Sequence, residues 1–269
     1  MSKIKITEEN YYEDKTHISN SMLKQLKKSP EHFDAYMKGL TPPMRSAALD
    51  FGSAYDEFIL TPDLYKANYI VMKEKINRNS NAYKDWLLEN DIFHYAKNPG
   101  GNKKELSLAD YEKLNRMRDA LKAKKRIWEM LEVGEKQKIL TWEDNTFHVK
   151  CKGKLDNYIP GHAIVDLKTA QDCSPYGFER AVKYLWDYDQ QAACYIEGVH
   201  ADLLDEGKYI EFWWVVQEKE APYIPALYEA TVETLEKGAE KYFALLEQYY
   251  KLFVENKYDS KNSFIYGTI

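Results

Sequence analysis

Three cysteines in 269 residues are too few, and Cys151, Cys173 and Cys194 too widely spaced, for a disulfide framework or a zinc site. They also cannot supply the four thiolates that usually hold an iron–sulfur cluster. No apolar run approaches the roughly 20 residues needed to span a bilayer. The opening MSKIKITEENYYEDK lacks the apolar stretch of a secretion signal, so a cytoplasmic setting with reduced thiols is expected. Positive charge is not in excess either. With 38 Lys and Arg against 43 Asp and Glu, the net charge of −5 argues against a protein that coats nucleic acid through bulk charge. Glycine (12) and proline (9) are far below collagen-like or low-complexity levels, and no internal repeat is present.

What remains is an ordinary globular balance, 44% hydrophobic and 30% charged, in a chain long enough for one substantial core. We expect a single domain over residues 1–269, with a mainly helical part at 1–131 and a sheet with flanking helices at 132–269. A helix should open near Ser19–Ser21, break at Ser29-Pro30, restart at Pro30 and close at Gly39. RSAALDFGSAYDEFILTP reads as a buried helix interrupted by Gly52, where Gly52 and Ser53 permit close approach of backbone or ligand. Residues 63–131 read as helical, with one exposed loop at NPGGNK. From Gly134 the character changes. KQKILTWED, NTFHVKCKGKLDNYI and HAIVDLKTA are β-branched and aromatic runs separated by turn residues, a three-strand meander. A helix over 175–198, a buried strand YIEFWWVVQ and a helix over 231–254 complete the chain. The fold class expected is α/β (α+β), a central mixed sheet flanked by helices.

The stretch that carries chemistry is Gly153-Lys154-Leu155-Asp156 in one strand and Ile164-Val165-Asp166-Leu167-Lys168 in the next. Alternation puts Asp166 and Lys168 on one face while Val165 and Leu167 point the other way. A polar face on an apolar strand is costly unless something occupies it. Two carboxylates on neighbouring strands, with the Leu167 carbonyl, suit a hard cation such as Mg²⁺. A D-x-K by itself is commonly a surface ion pair; Asp156, and Gln191 and Tyr195 one helical turn apart, make this one a candidate site. Local lysine groups (Lys24, Lys27, Lys28; Lys103, Lys104; Lys122, Lys124, Lys125, Arg126) could line a phosphate track or simply be solvated helix faces. His17, His32, His94, His148, His162 and His200 have no ligand spacing, and Trp213-Trp214 reads as core packing, with base stacking as the lesser alternative.

In ISNSMLKQLKKSPEHF, FGSAYDEFILTPDLY, VKCKGKLDNYIPGHAIVDLKTA, YDQQAACYIEGV and VVQEKEAPY, in that order, the chain resembles the PD-(D/E)XK nuclease superfamily. Within it the resemblance is to the phage-type RecE-like exonucleases, and more distantly to lambda exonuclease. It implies a restriction-endonuclease-like core. It places the family's acidic pair on Asp156 and Asp166, its lysine on Lys168, and its helix Gln and Tyr on Gln191 and Tyr195. The metal set would be Asp56, Asp156, Asp166 and the Leu167 carbonyl, holding one or two Mg²⁺ ions, with Mn²⁺ as the other candidate. Ser21, Ser53 and Lys154 would contact DNA phosphate, although Ser21 also reads as a plain helix cap. Two departures stand out. RecE-like proteins usually read Gly-Ser-Ala-x-His where this chain reads Gly52-Ser53-Ala54-Tyr55-Asp56, so Asp56 replaces a histidine ligand. Gln137 stands where many relatives have Glu.

The resemblance implies a phage- or prophage-encoded double-strand DNA exonuclease in a bacterial cytoplasm, resecting 5′ to 3′ to leave 3′ overhangs for a single-strand annealing protein. It also implies a ring-shaped homo-oligomer, a trimer or tetramer, around DNA ends. A repair or defence endonuclease on the same fold, and a catalytically silent DNA-end-binding protein, are the competing readings.

Overall fold

In the computed structural model, residues 6–41, 46–73, 76–203 and 208–259 are described. The outermost residues of the expected domain range, 1–5 and 260–269, lie outside them. The strands are β1 (Ile18–Ser19), β2 (Tyr69–Met72), β3 (Lys104–Ser107), β4 (Glu135–Glu143), β5 (Lys150–Ile159), β6 (Ala163–Ala170), β7 (Glu211–Glu218) and β8 (Pro225–Glu229). The helices are α1 (Asn20–Lys28), α2 (Pro30–Met37), α3 (Ala47–Leu60), α4 (Pro62–Asn68), α5 (Asn81–Glu89), α6 (Leu108–Lys122), α7 (Lys125–Glu132), α8 (Pro175–Arg180), α9 (Tyr188–Asp202) and α10 (Val232–Tyr249).

The predicted meander is β4–β5–β6, antiparallel throughout, and its apolar strands continue into β7, which runs parallel to β6. The main sheet is mixed, in the order β1-β5-β6-β7-β8 with β4 on the other edge of β5. Both faces are covered, which is why β6 and β7 read as near-continuous apolar runs. On one face Ile164, Phe212, Trp214 and Val216 pack with Leu23, Phe33, Ala192 and Tyr242 of α1, α2, α9 and α10. On the other, Val165, Leu167 and Val215 pack with Tyr55, Leu114, Met117 and Leu121 of α3 and α6. Each such side chain contributes roughly 1.5–3 kcal/mol through burial, so the two layers clamp β6 from both sides.

Several boundaries differ from expectation. Gly52 does not interrupt its helix; α3 runs through it, because one glycine costs only about 1 kcal/mol and the buried stripe Ala54, Tyr55, Phe58, Ile59 offsets that. The helix expected over 175–198 is broken into α8, a π-helical turn at Ala181–Leu185, and α9, with Asp187 left-handed at φ 48° between them. The 63–131 region is not helical throughout. It holds the parallel pair β2–β3, whose partners lie some 35 residues apart and so show no local hairpin signal. β1 and β8 also escape a sequence reading, since two and five residues carry no usable periodicity. The last helix ends in a second π-helical turn, Tyr250–Val254.

Candidate active site

β5 and β6 pair only at Asn157↔Val165, Tyr158↔Ile164 and Ile159↔Ala163. Beyond these they part, while β6 stays paired with β7 as far as Ala170↔Glu218. The edge of β5 that β6 vacates is taken up by β1, at Ile18↔Cys151 and Ser19↔Lys152. A fork therefore opens between β5 and β6, and Asp156 and Asp166 stand at its root. The Leu167 N–H, which has lost its ladder partner, donates instead to Asp156 Oδ2 at 2.9 Å. One carboxylate thus does the work of a missing strand bond.

The backbone around Asp156 is unusual. Leu155 packs with the α9–α10 layer, whereas Asn157 donates to the Met130 carbonyl of α7 on the opposite face. The strand turns over at Asp156. Across from it, between the pairs Lys136↔Asn157 and Lys138↔Leu155, Gln137 is left-handed at φ 52°, a costly conformation for a residue with a side chain. The position that departs from the resembled pattern is thus also the one where β4 and β5 lose their regular pairing.

Charge is concentrated at the fork. Asp166 is buried, and its Oδ2 lies 2.5 Å from Lys168 Nζ without accepting an aligned hydrogen bond. Burial pushes the Asp166 carboxyl up to about 7, with Asp156 adding to the rise and Lys168 opposing it. Burial works against the Lys168 cation, yet Asp166 and Asp156 outweigh it and hold the ammonium above the ordinary lysine range. From α3, Tyr55 is fully buried and donates to Gln217 Oε1 of β7 at 2.6 Å. That contact sets the helix rotation, and the next residue, Asp56, comes under the field of Asp156, Lys168 and Asp166. Its carboxyl is driven well above the usual range by burial first and Asp156 second. On α9, Gln191 Nε2 donates to the Tyr195 hydroxyl at 3.0 Å. Burial raises the Tyr195 hydroxyl, and Tyr11, Asp166 and Asp156 push the same way. Gly153 makes room for this tyrosine, because a Cβ there would stand 3.2 Å from the ring.

A buried β-fork with an acidic pair, a lysine two residues after the second acid, and a helix carrying Gln and Tyr is now in view. The family described as a PDDEXK-like domain of unknown function, DUF3799, matches residues 19–260. The chain belongs to this PDDEXK-like family. Its fold matches the crystal structure of a candidate exonuclease from Eubacterium rectale, with a TM-score of 0.66 and 21% identity over 99% of this chain and 96% of the other. No functionally curated protein matches.

Within this PDDEXK-like fold the structure brings Asp56, Asp156, Asp166, Lys168, Gln191 and Tyr195 into one electrostatic neighbourhood. It does not gather three acids into a finished ligand set: among the described residues no three His, Cys, Asp or Glu side chains converge closely enough to hold a metal ion. The reason is visible in their partners. The carboxylates repel one another, Lys168 holds Asp166, and the Leu167 N–H holds Asp156. Ser21 is an exposed first-turn residue of α1, not its cap; Ser19 is the cap and accepts from Met22 N. Ser53 is exposed on α3, and Gly52 beside it faces open space. Lys154 is engaged by Glu8 at 2.7 Å, so its charge is already offset.

Two further residues join the site: Lys24, which the sequence offered only as one of a basic group, and Tyr188, which it did not single out. Lys24 of α1 is lowered to about 8 by burial and then by Lys168, with Asp187 and Asp166 opposing. Tyr188 offers its ring to Lys168 Nζ at 5.2 Å from the centroid. The usable signal was the helical spacing of Lys24 from Ser21, one turn on the same face. α1 is held at the fork by a buried bond from Gln190 Nε2 to Asn20 Oδ1 at 2.7 Å, which ties ISNS to YDQQ. The basic group at the α6–α7 junction lies elsewhere. Lys124, Lys125 and Arg126 line an open pocket of about 690 Å³ with Trp213, and Arg126 covers the Trp213 ring at 5.3 Å.

Proposed function

We propose that this protein is a divalent-metal-dependent deoxyribonuclease that hydrolyses phosphodiester bonds at the ends of double-stranded DNA. The observation that carries the reading is the β5–β6 fork, where Asp156 and Asp166 stand together with Lys168 in a buried setting. Such a cluster of mutually repelling carboxylates, only one of them compensated by a lysine, fits a hard cation that takes oxygen ligands. Asp156, Asp166, the Leu167 carbonyl and Asp56 would hold one or two Mg²⁺ ions, or Mn²⁺. Asp56 supplies an oxygen where the resembled family has an imidazole, a suitable exchange for Mg²⁺. When bound, the metal supplies an acidified water and offsets charge on the phosphate.

The protein's own groups do the rest. Lys168, kept protonated by Asp166 and Asp156, donates to the charge that develops on the phosphate or orients the water. Gln191 and Tyr195 present an amide and a hydroxyl to the scissile strand. Lys24 and Ser21 approach the phosphate from the α1 wall, and Ser53 from the α3 side.

Exonuclease rather than endonuclease action is favoured by the likeness to a candidate exonuclease and by the RecE-like motif order. Following the RecE-like resemblance alone, digestion runs 5′ to 3′, leaves 3′ overhangs for a single-strand annealing protein, and is carried out by a ring-shaped trimer or tetramer. The test is a linear duplex labelled at the 5′ or the 3′ end, incubated with Mg²⁺ and wild type, Asp166→Ala or Lys168→Ala, beside a closed circular plasmid. Early loss of the 5′ label, inert circles and no cleavage by the Asp166 variant are expected. Opened circles would establish an endonuclease instead, and equal behaviour of wild type and Asp166→Ala would remove the mechanism.

A further inference from the structure

The turn that leads into α9 presents large apolar side chains to solvent beside the catalytic fork. Tyr184 is 75% exposed, Leu185 56% and Trp186 60%. Large apolar side chains in contiguous patches are normally buried, so two aromatics flanking a leucine on the outside are an unusual feature of a folded domain. Their backbone is far from loose. Lys24 Nζ donates to the Trp186 carbonyl at 2.5 Å and Lys241 Nζ to the Lys183 carbonyl at 2.8 Å. Asp187, left-handed immediately after Trp186, is gripped by Lys27 at 2.5 Å and by Lys241 at 3.2 Å. A π-helical turn, a strained residue and three lysines therefore hold the segment in place, a combination that concentrates at functional sites.

The position is continuous with the fork. Tyr188, two residues beyond Trp186, covers the Lys168 ammonium. Lys24, which fixes the Trp186 carbonyl, lies in the field of Lys168 and Asp166. Lys24 Nζ is bonded to the Trp186 carbonyl, and among the described residues it forms no ion pair with a carboxylate, so its remaining N–H donors can turn to a phosphate. An aromatic surface next to a lysine and the proposed phosphodiester-cleaving fork matches an unstacked nucleotide: every base has a face that stacks on an aromatic ring, and its phosphate needs a donor of positive charge.

We propose that Tyr184, Leu185 and Trp186 form a stacking platform that receives the unpaired terminal base of a DNA end while the adjoining phosphate enters the fork. The proposal rests on the nuclease reading. It is tested by binding in EDTA, where no cleavage is needed, so its failure is separable from a failure of catalysis. Fluorescence anisotropy would compare wild type, Trp186→Ala and Trp186→Phe on a duplex with a short single-stranded tail and on the same duplex with an abasic tail. The expected result is an affinity loss of about tenfold for Trp186→Ala on the normal tail. Trp186→Phe should recover most of it, the abasic tail should be bound equally by all three, and the slope of affinity against salt should not change, because stacking releases no counterions. An equal loss on normal and abasic tails, no loss at all, or a fall in molecular mass of Trp186→Ala by light scattering would overturn the proposal; the last would make the platform a contact between copies of this chain.

Discussion

Asp156 has a structural duty in this fold beside its proposed catalytic one, and a pair of substitutions separates the two. Its Oδ2 accepts the Leu167 N–H at 2.9 Å, and Leu167 is buried. Asp156→Ala leaves that donor with no partner, at a cost of about 1–3 kcal/mol. For a chain of this size that corresponds to a fall in Tm of roughly 2–10 °C. Asp156→Asn keeps an acceptor oxygen of the same reach and should hold stability close to wild type. Both variants remove the negative charge that helps raise Asp56 and Asp166, so relief of repulsion is common to the two, and their difference isolates the hydrogen bond. Both should lose nuclease activity by about a hundredfold or more, as removal of a charge from a preorganised site does. The assay is thermal unfolding by circular dichroism at pH 7 in EDTA, paired with release of nucleotides from linear duplex in Mg²⁺. Equal melting temperatures for Asn and Ala would refute the argument that a carboxylate replaces the strand bond. An active Asn variant would refute its catalytic assignment.

Asp166 makes stability depend on pH in the opposite sense to a salt-bridged surface carboxylate. With its carboxyl raised from 3.8 to about 7, the folded chain keeps a proton that the unfolded chain releases between those values. Stability therefore declines as pH rises through that window. Asp166→Asn should flatten the decline in Tm between pH 4 and pH 7 in EDTA, and an unaltered slope would dismiss Asp166 as its source. Gly238→Ala on α10 would bring a Cβ within 2.1 Å of the Asp189 carbonyl on α9. Forcing the two helices apart should cost about 1–3 kcal/mol, and because Lys241 anchors Asp189 at 2.7 Å two residues before Gln191, nuclease activity should fall with it. Wild-type melting and turnover would show that this contact is not tight.

Local pattern was enough to locate the meander, the buried strand β7 and the long C-terminal helix, because each is long and its apolar residues keep one period. It was also enough to put Asp166 and Lys168 on one face of β6, since alternation follows from the extended backbone of any strand. What the sequence could not contain is where β5 and β6 separate. That depends on β1, two residues from far upstream, taking the vacated edge of β5, and on Gln137 adopting a left-handed backbone opposite Asp156. Nor could periodicity place Lys24, Tyr188 or Asp56 at the fork, because they come from three helices whose rotations are set by the Asn20–Gln190 and Tyr55–Gln217 bonds. Residue types and their strand faces were thus decided by the chain itself. The meeting of the carboxylates, and the raised protonation that follows from it, was decided only by tertiary packing, which brings like charges together out of water.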